Sequence, residues 1–413
     1  MYLTSPDFYK FLEENKDSDP LRLRLSKVSD SFDKNFAITQ IECRIKCRQK
    51  LPFFISNKFF LFPDPTAAQQ ASHQAIARYH DHLAGADSKI LDMTAGLGID
   101  AMTLSFNQNR TITAIELDEK KSDILMHNTE IFQLSNLTVI NNDSITFLNN
   151  SADFFDLIFI DPSRRDTKNN RVFRFQDCSP DVVAYQELLT AHARRVIIKA
   201  SPLLDISKTL RDFRNLRSIR AIGVKGECKE ILIELVSNSY DVRKSQLINF
   251  GYGEEATPII LEAVNLDSKG NVISSFKITK DEDISSILYA VPQDLKPDVY
   301  VLEPSPMMMK ISPWSKICKE FEAKKFAPSS HLFISEKYPD KFPGRVCRFK
   351  HFITKKDRKS LSGFPASVVS RNHPLSSDEI RKVYNLKEGD SHFIYATRIG
   401  QKPVTFLSES ITH

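Results

Sequence analysis

Short apolar runs alternate with amphipathic segments through the middle of the chain. Seven such runs, rich in β-branched residues, are KILDM, TITAIEL, LTVIN, FDLIFID, RVIIKA, SIRAIGV and EILIELV. Helical spacing of apolar residues fills most of the intervals between them. Strands that alternate with helices predict an α/β fold with a parallel, doubly wound, Rossmann-like sheet. Only KGECK separates the last two runs. This is too short for a helical crossover, so we expect seven strands with one reversed.

The two ends of the chain follow other patterns. Residues 1 to about 65 carry helical spacing, as in ITQIECRIKCRQKL, which predicts a small helical unit. Beyond about Ser239, PIILEAVNLDSKGNVISSFKI predicts a β-hairpin that turns at Lys269-Gly270-Asn271. YVLEP, HLFIS and the later runs predict mixed strands and helices. We expect four domains, over residues 1–66 (helical), 67–239 (Rossmann-like), 240–335 (α+β) and 336–413 (α+β).

Composition adds a few constraints to this pattern. The hydrophobic share of 41% and charged share of 26% are typical of a soluble globular protein. No apolar run approaches the roughly 20 residues that cross a bilayer. The N-terminus carries acidic residues where a secretory signal needs a basic start, so we expect a cytoplasmic protein. The net charge of +5 permits a polyanionic partner without requiring one. The six cysteines lack metal-ligand or disulfide spacing, and we expect no metal.

A glycine-rich turn follows the first predicted strand. In LDMTAGLGIDA, Gly96 and Gly98 fall where the strand gives way to a helix. Glycine lets the backbone approach a ligand closely, and the helix N-terminus presents unpaired N–H groups. The second strand ends at Glu116, about 20 residues after Gly96, the position from which a carboxylate binds ribose hydroxyls. These residues predict a nucleotide cofactor site.

Acidic residues at three further strand ends favour S-adenosylmethionine as that cofactor. Asp92 ends the first strand and suits the cationic amino group of a methionine. Asp143 follows the third strand and suits an adenine amine, and Asp161-Pro162 follow the fourth.

Two alternatives stay open at this point. Read strictly, the turn also fits the dinucleotide fingerprint G-x-G-x-x-A, so a nicotinamide-dependent oxidoreductase is a rival. Asp143 could instead cap the helix that follows it, and we expect Asp100 to cap the first helix of the sheet.

Several segments resemble class I S-adenosylmethionine-dependent methyltransferases: D-M-T-A-G-L-G-I-D, A-I-E-L-D, N-N-D-S and F-I-D-P-S-R-R-D. The whole chain is similar to the bacterial methyltransferases with a THUMP-like C-terminal domain. This likeness extends to P-T-A-A-Q-Q-A-S, R-V-F-R-F-Q-D-C-S-P-D, G-E-C-K-E, L-E-P-S-P and S-R-N-H-P-L-S-S-D-E-I. It implies a class I methyltransferase sheet over 67–239, a ferredoxin-like domain over 240–335 and a THUMP-like domain over 336–413.

The resemblance also implies a cofactor and a partner. S-adenosyl-L-methionine would be held by Asp92, Ala95, Gly96, Gly98, Glu116, Leu117, Asp143 and Ser144. THUMP domains are associated with RNA, so rRNA or tRNA is the expected substrate. The oligomeric state stays open.

The end of the fourth strand holds the catalytic candidates, Asp161 and Pro162. Methyl transfer from a sulfonium is an in-line displacement in which the enzyme orients the nucleophile and excludes water. The Asp161 carboxylate and the Pro162 carbonyl could accept hydrogen bonds from an amine. Asp-Pro-Ser-Arg resembles the D-P-P-Y and N-P-P-Y motifs of amino-methylating enzymes, but Ser163 and Arg164 replace the second proline and the aromatic ring. Arg164 could stack on a base through its guanidinium plane, or Phe173 or Phe175 could supply a ring.

Four residues are candidates for substrate binding: Ser163, Arg164, Arg165 and Lys199. The two arginines could bind a phosphate, or pair with Asp166 or Asp177 and brace the loop. Lys199 could contact substrate or be a solvated charge. No cysteine ends the fifth strand, where carbon-5 methylation of a pyrimidine would need one. We therefore expect direct transfer to a base nitrogen. The alternatives are a protein or small-molecule methyltransferase, and a non-catalytic RNA-binding protein.

Overall fold

The computed structural model describes residues 5–26, 31–164, 174–237, 258–280 and 287–411. These residues belong to two compact units. The first comprises 1–225, 229–257 and 266–273, and the second comprises 226–228, 258–265 and 274–413. The predicted roles of Arg165, Asp166, Phe173 and the Arg164 side chain lie outside the described residues and stay predictions.

Helices precede the first strand, as the spacing predicted. They are α1 (Pro6–Glu14), α2 (Pro20–Leu25), α3 (Lys34–Cys47), α4 (Pro52–Ser56), α5 (Pro65–Gln70) and α6 (Gln74–Ala84). Four of them begin with a proline, whose fixed φ suits the first helical position. The apolar faces of α1 and α3 pack together around Phe8, Phe36 and Ile41.

Strands and helices then alternate through the first unit. In chain order they are β1 (Lys89–Asp92), α7 (Ile99–Ser105), β2 (Thr111–Glu116), α8 (Glu119–Ile131), β3 (Leu137–Asn141), α9 (Ser144–Asn150), β4 (Phe155–Ile160), β5 (Ser163–Arg164), β6 (Cys178–Ser179), α10 (Gln186–His192), β7 (Ala193–Ala200), α11 (Ile206–Asp212), β8 (Leu216–Val224) and β9 (Glu227–Val236). The short strands β5 and β6 pair with each other as a separate antiparallel ribbon.

All seven predicted strands lie in the large sheet, in the order β8-β9-β7-β4-β1-β2-β3. β1 is parallel to β2 and β4, β3 is parallel to β2, and β7 is parallel to β4. β9 is antiparallel to β7, which confirms the expected reversal. The carboxyl ends of the parallel strands meet at one edge, so the loops after β1, β2, β3, β4 and β7 lie there together.

The predicted hairpin is present as β10 (Ile260–Leu266) and β11 (Val272–Thr279). The Asp267 carboxylate accepts hydrogen bonds from the N–H groups of Lys269 (2.8 Å) and Asn271 (2.9 Å). Gly270 has a φ of +91°, which side-chain-bearing residues rarely adopt. The turn therefore falls on the residues that the sequence indicated.

The second unit holds a seven-stranded sheet in the order β13-β14-β12-β15-β18-β17-β16. Its elements are β12 (Tyr300–Pro304), α12 (Pro306–Ile311), α13 (Trp314–Glu320), β13 (Lys324–Lys325), β14 (Phe333–Ser335), β15 (Gly344–Phe352), β16 (Ser367–Ser370), α14 (Ser377–Tyr384), β17 (His392–Ile399) and β18 (Lys402–Ser410). β12 pairs with β15, so one sheet crosses the expected boundary at residue 336, and that boundary stays a prediction. None of the helices that the structure describes is long and apolar enough to cross a membrane.

Candidate functional site

The carboxyl edge of the large sheet contains a cavity of about 930 Å³. All eight predicted cofactor residues line it: Asp92, Ala95, Gly96, Gly98, Glu116, Leu117, Asp143 and Ser144. Asp161 and Ser163 line it as well, and Ser72 and Gln70, from the segment before α6, contribute to its wall. The cavity is therefore at the edge where the parallel strands place their acidic ends.

Asp92 is the most deeply buried acid of this cavity, with 2% of its surface exposed. One oxygen accepts a hydrogen bond from the Thr94 N–H at 3.1 Å. Burial, together with the nearby Asp100 carboxylate, raises the pKa of Asp92 to about 7. A cationic group bound beside Asp92 would favour its charged form, so this residue suits an ammonium ligand.

The glycine turn is held by the end of the second strand. The Glu116 carboxylate accepts hydrogen bonds from the Gly96 N–H at 2.8 Å and from the Asp118 N–H at 2.9 Å. Gly96 has a φ of +57°, and a Cβ built there would meet no atom within 4 Å. A Cβ at Gly98 would overlap the Leu125 side chain. The turn thus leaves open space over Gly96 and packs α7 against α8 at Gly98.

Asp143 and Asp100 were both considered as helix caps, and the structure gives a different result for each. Asp143 caps α9, because its carboxylate accepts the Thr146 N–H at 2.8 Å, and it also lines the cavity. The prediction for Asp100 is wrong: Gly98 is the N-cap of α7, and Asp100 points into a buried polar cluster instead. Burial disfavours the Asp100 carboxylate, but Lys199 and His80 outweigh this and hold its pKa below the usual range.

Asp161 lies directly after β4, with 44% of its side chain exposed. Its Oδ2 is 2.8 Å from the Lys199 Nζ, and its backbone N–H donates to the Thr94 hydroxyl at 2.6 Å. Lys199 is only 7% exposed and also contacts Ser72 Oγ at 2.7 Å and Asp100 Oδ2 at 3.2 Å. This corrects the expectation that Lys199 is a solvated or substrate-facing charge, because its ammonium group is buried against three oxygen atoms.

Sequence reasoning missed the residues behind Lys199. His80 lies between Asp100 (Nδ1 to Oδ1, 2.7 Å) and Glu230 (Nε2 to Oε1, 2.6 Å). Burial disfavours its charged form, but Glu230 and Asp100 together raise its pKa to about 9. Ser72 and Glu230 belong to the segments P-T-A-A-Q-Q-A-S and G-E-C-K-E, which were noted for the resemblance alone. No spacing along the chain links them.

Two of the remaining candidates do not reach the cavity. Phe175 is buried against Phe213, with ring centroids 5.5 Å apart, so it is not free to stack on a base. Pro162 is buried. Ser163, in contrast, does line the cavity; it is exposed and pairs with Ser179 in the β5–β6 ribbon.

Comparisons with known proteins address the fold and the domains. The model of a ferredoxin-like domain family matches residues 300–343, and that of a THUMP domain-like family matches residues 348–410. No curated protein matches the chain. The crystal structure named "putative methyltransferase from Porphyromonas gingivalis W83" is similar with a TM-score of 0.80, at 24% identity, over 98% of both chains. At this identity the likeness establishes the fold.

Two other solved structures match part of the chain. TrmN from Thermus thermophilus matches with a TM-score of 0.32 at 17% identity, over 42% of this chain and 52% of its own. TrmK from M. capricolum, in complex with S-adenosyl-homocysteine, matches with a TM-score of 0.31 at 16% identity, over 40% and 69%. Scores this low carry no argument. The resemblance is confirmed at the level of fold and domain content: the chain has the class I methyltransferase fold, followed by a ferredoxin-like domain and a THUMP-like domain.

Proposed function

We propose that the chain is an S-adenosyl-L-methionine-dependent methyltransferase that modifies a base nitrogen in RNA. The observation that carries this proposal is the buried Asp92 carboxylate, whose pKa is raised to about 7 at the wall of the cavity. Burial disfavours the charged form of this carboxyl group, and a cation bound beside it would restore that charge; the amino group of a methionine is such a cation.

The other cofactor candidates fit the remaining parts of this molecule. Glu116 holds the glycine turn and would meet the ribose hydroxyls, and Asp143 would meet the adenine amine. The open space at Gly96 lets the backbone approach the ligand. S-adenosyl-L-methionine, when bound, supplies an electrophilic methyl group on its sulfur atom.

Asp161 is the residue that we assign to the methyl acceptor. Its side chain lies at the cavity and can accept a hydrogen bond from an amine, which turns the nitrogen lone pair away from the carboxylate and fixes its direction. The same carboxylate can take the proton that the nitrogen loses. Pro162 is buried and does not line the cavity, so no role in the transfer is assigned to it.

RNA is proposed as the substrate because of the THUMP-like domain and the charge of one of its turns. Residues Lys355–Arg358 form a 3₁₀ turn after β15, and Lys355, Lys356, Arg358 and Lys359 are all exposed there. Clustered, exposed cations are typical of nucleic-acid surfaces. The RNA that we propose as the target is rRNA or tRNA.

Label transfer tests the proposal. The purified protein is incubated with S-adenosyl-L-methionine carrying a tritiated methyl group and with total RNA from cells that lack the gene. We expect label in RNA with the wild-type protein and little with Asp161→Asn. Lys89→Met serves as the matched control, since Lys89 forms an exposed ion pair with Asp153 at the opposite end of β1.

Two further arms separate the rivals. Label that enters protein or small molecules of the same cells, and not RNA, would replace the substrate assignment. Calorimetry with NAD and S-adenosyl-L-methionine side by side tests the cofactor, and a preference for NAD would overturn the whole proposal.

A further inference from the structure

Five side chains of alternating acidic and basic character run from the cavity into the interior of the first unit. They are Asp161, Lys199, Asp100, His80 and Glu230, joined by successive N–O distances of 2.8, 3.2, 2.7 and 2.6 Å. The last four are buried, and only Asp161, the first of the five, has a substantially exposed side chain. The series therefore has one end at the cavity.

The Lys199 ammonium group has an acceptor for each of its N–H donors in this arrangement. It carries three N–H donors, and three acceptors surround it: Ser72 Oγ, Asp100 Oδ2 and Asp161 Oδ2. The Ser72 hydroxyl also donates a hydrogen bond to Asp100, so two of the three acceptors are bonded to each other. The Phe159 ring lies 5.8 Å from the Lys199 Nζ. Lys199 thus holds the Asp161 carboxylate in a defined position.

The rest of the series keeps Lys199 charged. Burial alone would lower its pKa, but Asp100, Asp161 and Glu230 outweigh this and hold its pKa well above the usual range. His80, with a pKa of about 9, stays an imidazolium at neutral pH and bridges Asp100 to Glu230. Each of these ion pairs therefore orients the next side chain of the series, and the last of them orients Asp161 at the cavity.

Such a buried series of charges is a poor device for stability. Burying a charge costs several kcal/mol, and buried ion pairs replaced by well-packed apolar residues often leave a protein equally or more stable. A precise position for the terminal carboxylate is a better explanation. The backbone of Asp161 is fixed too, since its N–H donates to the Thr94 hydroxyl.

We infer that Lys199 is a positioning residue for methyl transfer, which fixes Asp161 in the orientation that meets the acceptor amine, with Asp100, His80 and Glu230 as its support. The inference rests on the proposed function. It assigns a common purpose to Ser72, Lys199 and Glu230, three residues from distant parts of the sequence. A misplacement of about 1 Å at a reacting group can cost roughly 100-fold in rate.

A double-mutant cycle tests the inference. The variants are Lys199→Met, Asp161→Asn and the two combined, with Lys89→Met as the control. The rate of tritiated methyl transfer to total RNA is measured in a single turnover at saturating cofactor, at pH 8.5, where Asp92 is ionised. Calorimetry gives the affinity for S-adenosyl-L-methionine.

We expect Lys199→Met to lower the transfer rate by roughly 100-fold while it retains cofactor affinity. The double variant should be no slower than Asp161→Asn alone, because Lys199 acts through Asp161. Lys89→Met should match the wild type. A merely structural role would instead reduce cofactor affinity and rate together.

If circular dichroism shows that Lys199→Met does not fold, Glu230→Gln, at the far end of the series, gives a milder test. It should slow transfer several-fold and leave cofactor affinity intact. Wild-type rates in the folded variants, or losses that multiply in the double variant, would overturn the inference while the proposed function stands. A wild-type protein that labels no RNA would remove the proposed function, and the inference with it.

Discussion

Asp92→Asn should make the protein more stable at alkaline pH. An unperturbed aspartate has a pKa of about 3.9, whereas the pKa of Asp92 in the folded protein is about 7. The difference is about three pH units, each equivalent to about 1.4 kcal/mol. Ionised Asp92 therefore lowers the free energy of unfolding at pH 8 by about 4 kcal/mol relative to a neutral side chain.

The sign follows from which state binds the proton more tightly. The folded state does so here, so the stability contributed by protonated Asp92 is complete below about pH 4 and is lost as the pH rises through about 7. Asparagine does not titrate, and its amide oxygen can still accept the Thr94 N–H. The advantage of the variant should shrink from about 4 kcal/mol at pH 8 to less than half of that at pH 5.

Urea unfolding of both proteins at pH 5 and pH 8, followed by circular dichroism, measures this difference. Asp153→Asn is the matched control, since Asp153 is an exposed carboxylate of the same unit and should show no such gain at pH 8. An Asp92→Asn variant no more stable than the wild type at pH 8, or one whose advantage does not shrink at pH 5, would refute the reasoning.

The same variant should bind S-adenosyl-L-methionine more weakly. Loss of a charged hydrogen bond costs about 1.5–3 kcal/mol, which is roughly 10- to 150-fold in affinity. Higher stability with weaker binding is the result that a ligand-binding carboxylate predicts.

Three other expectations concern separate parts of the chain. The pKa of about 9 for His80 exceeds that of an unfolded histidine. The stability that charged His80 contributes to the folded protein is therefore complete below about pH 6.5 and lost as the pH rises through 9. His80→Asn should remove roughly 3 kcal/mol of this pH dependence, measured by urea unfolding. Glu303→Gln should destabilise the second unit by about 1–2 kcal/mol in thermal unfolding, because it weakens charged hydrogen bonds from two partly exposed arginines. Alanine at Lys355, Lys356 and Arg358 should weaken RNA binding and lower its logarithmic salt slope by about one for each phosphate that is no longer neutralised, whereas an unchanged slope would exclude this turn from the interface.

The sheet and the acids at its edge could be predicted from local patterns. Each strand end is marked by a change from apolar to polar residues, and a parallel sheet brings those ends together. This is why Asp92, Glu116, Asp143 and Asp161 all line one cavity. The turn of the hairpin at Gly270 was readable for a similar reason, since it depends on neighbouring residues only.

The buried series behind Asp161 could not be predicted in this way. His80 and Glu230 are 150 positions apart, and Lys199 and Asp100 are 99 apart. Such pairs depend on how strands and helices pack, which no local spacing records. Asp100 illustrates the error: a carboxylate in the first turn of a helix resembles a cap, but here it faces inward, toward a lysine and a histidine.

The central claim is that this chain methylates RNA. Mass spectrometry of RNA nucleosides tests it most directly, in cells that lack the gene and in the same cells given back the wild-type protein or Asp161→Asn. We predict that one methylated base is missing without the gene, returns with the wild-type protein and stays missing with Asp161→Asn. Nucleosides that are identical in all these cells would contradict the claim.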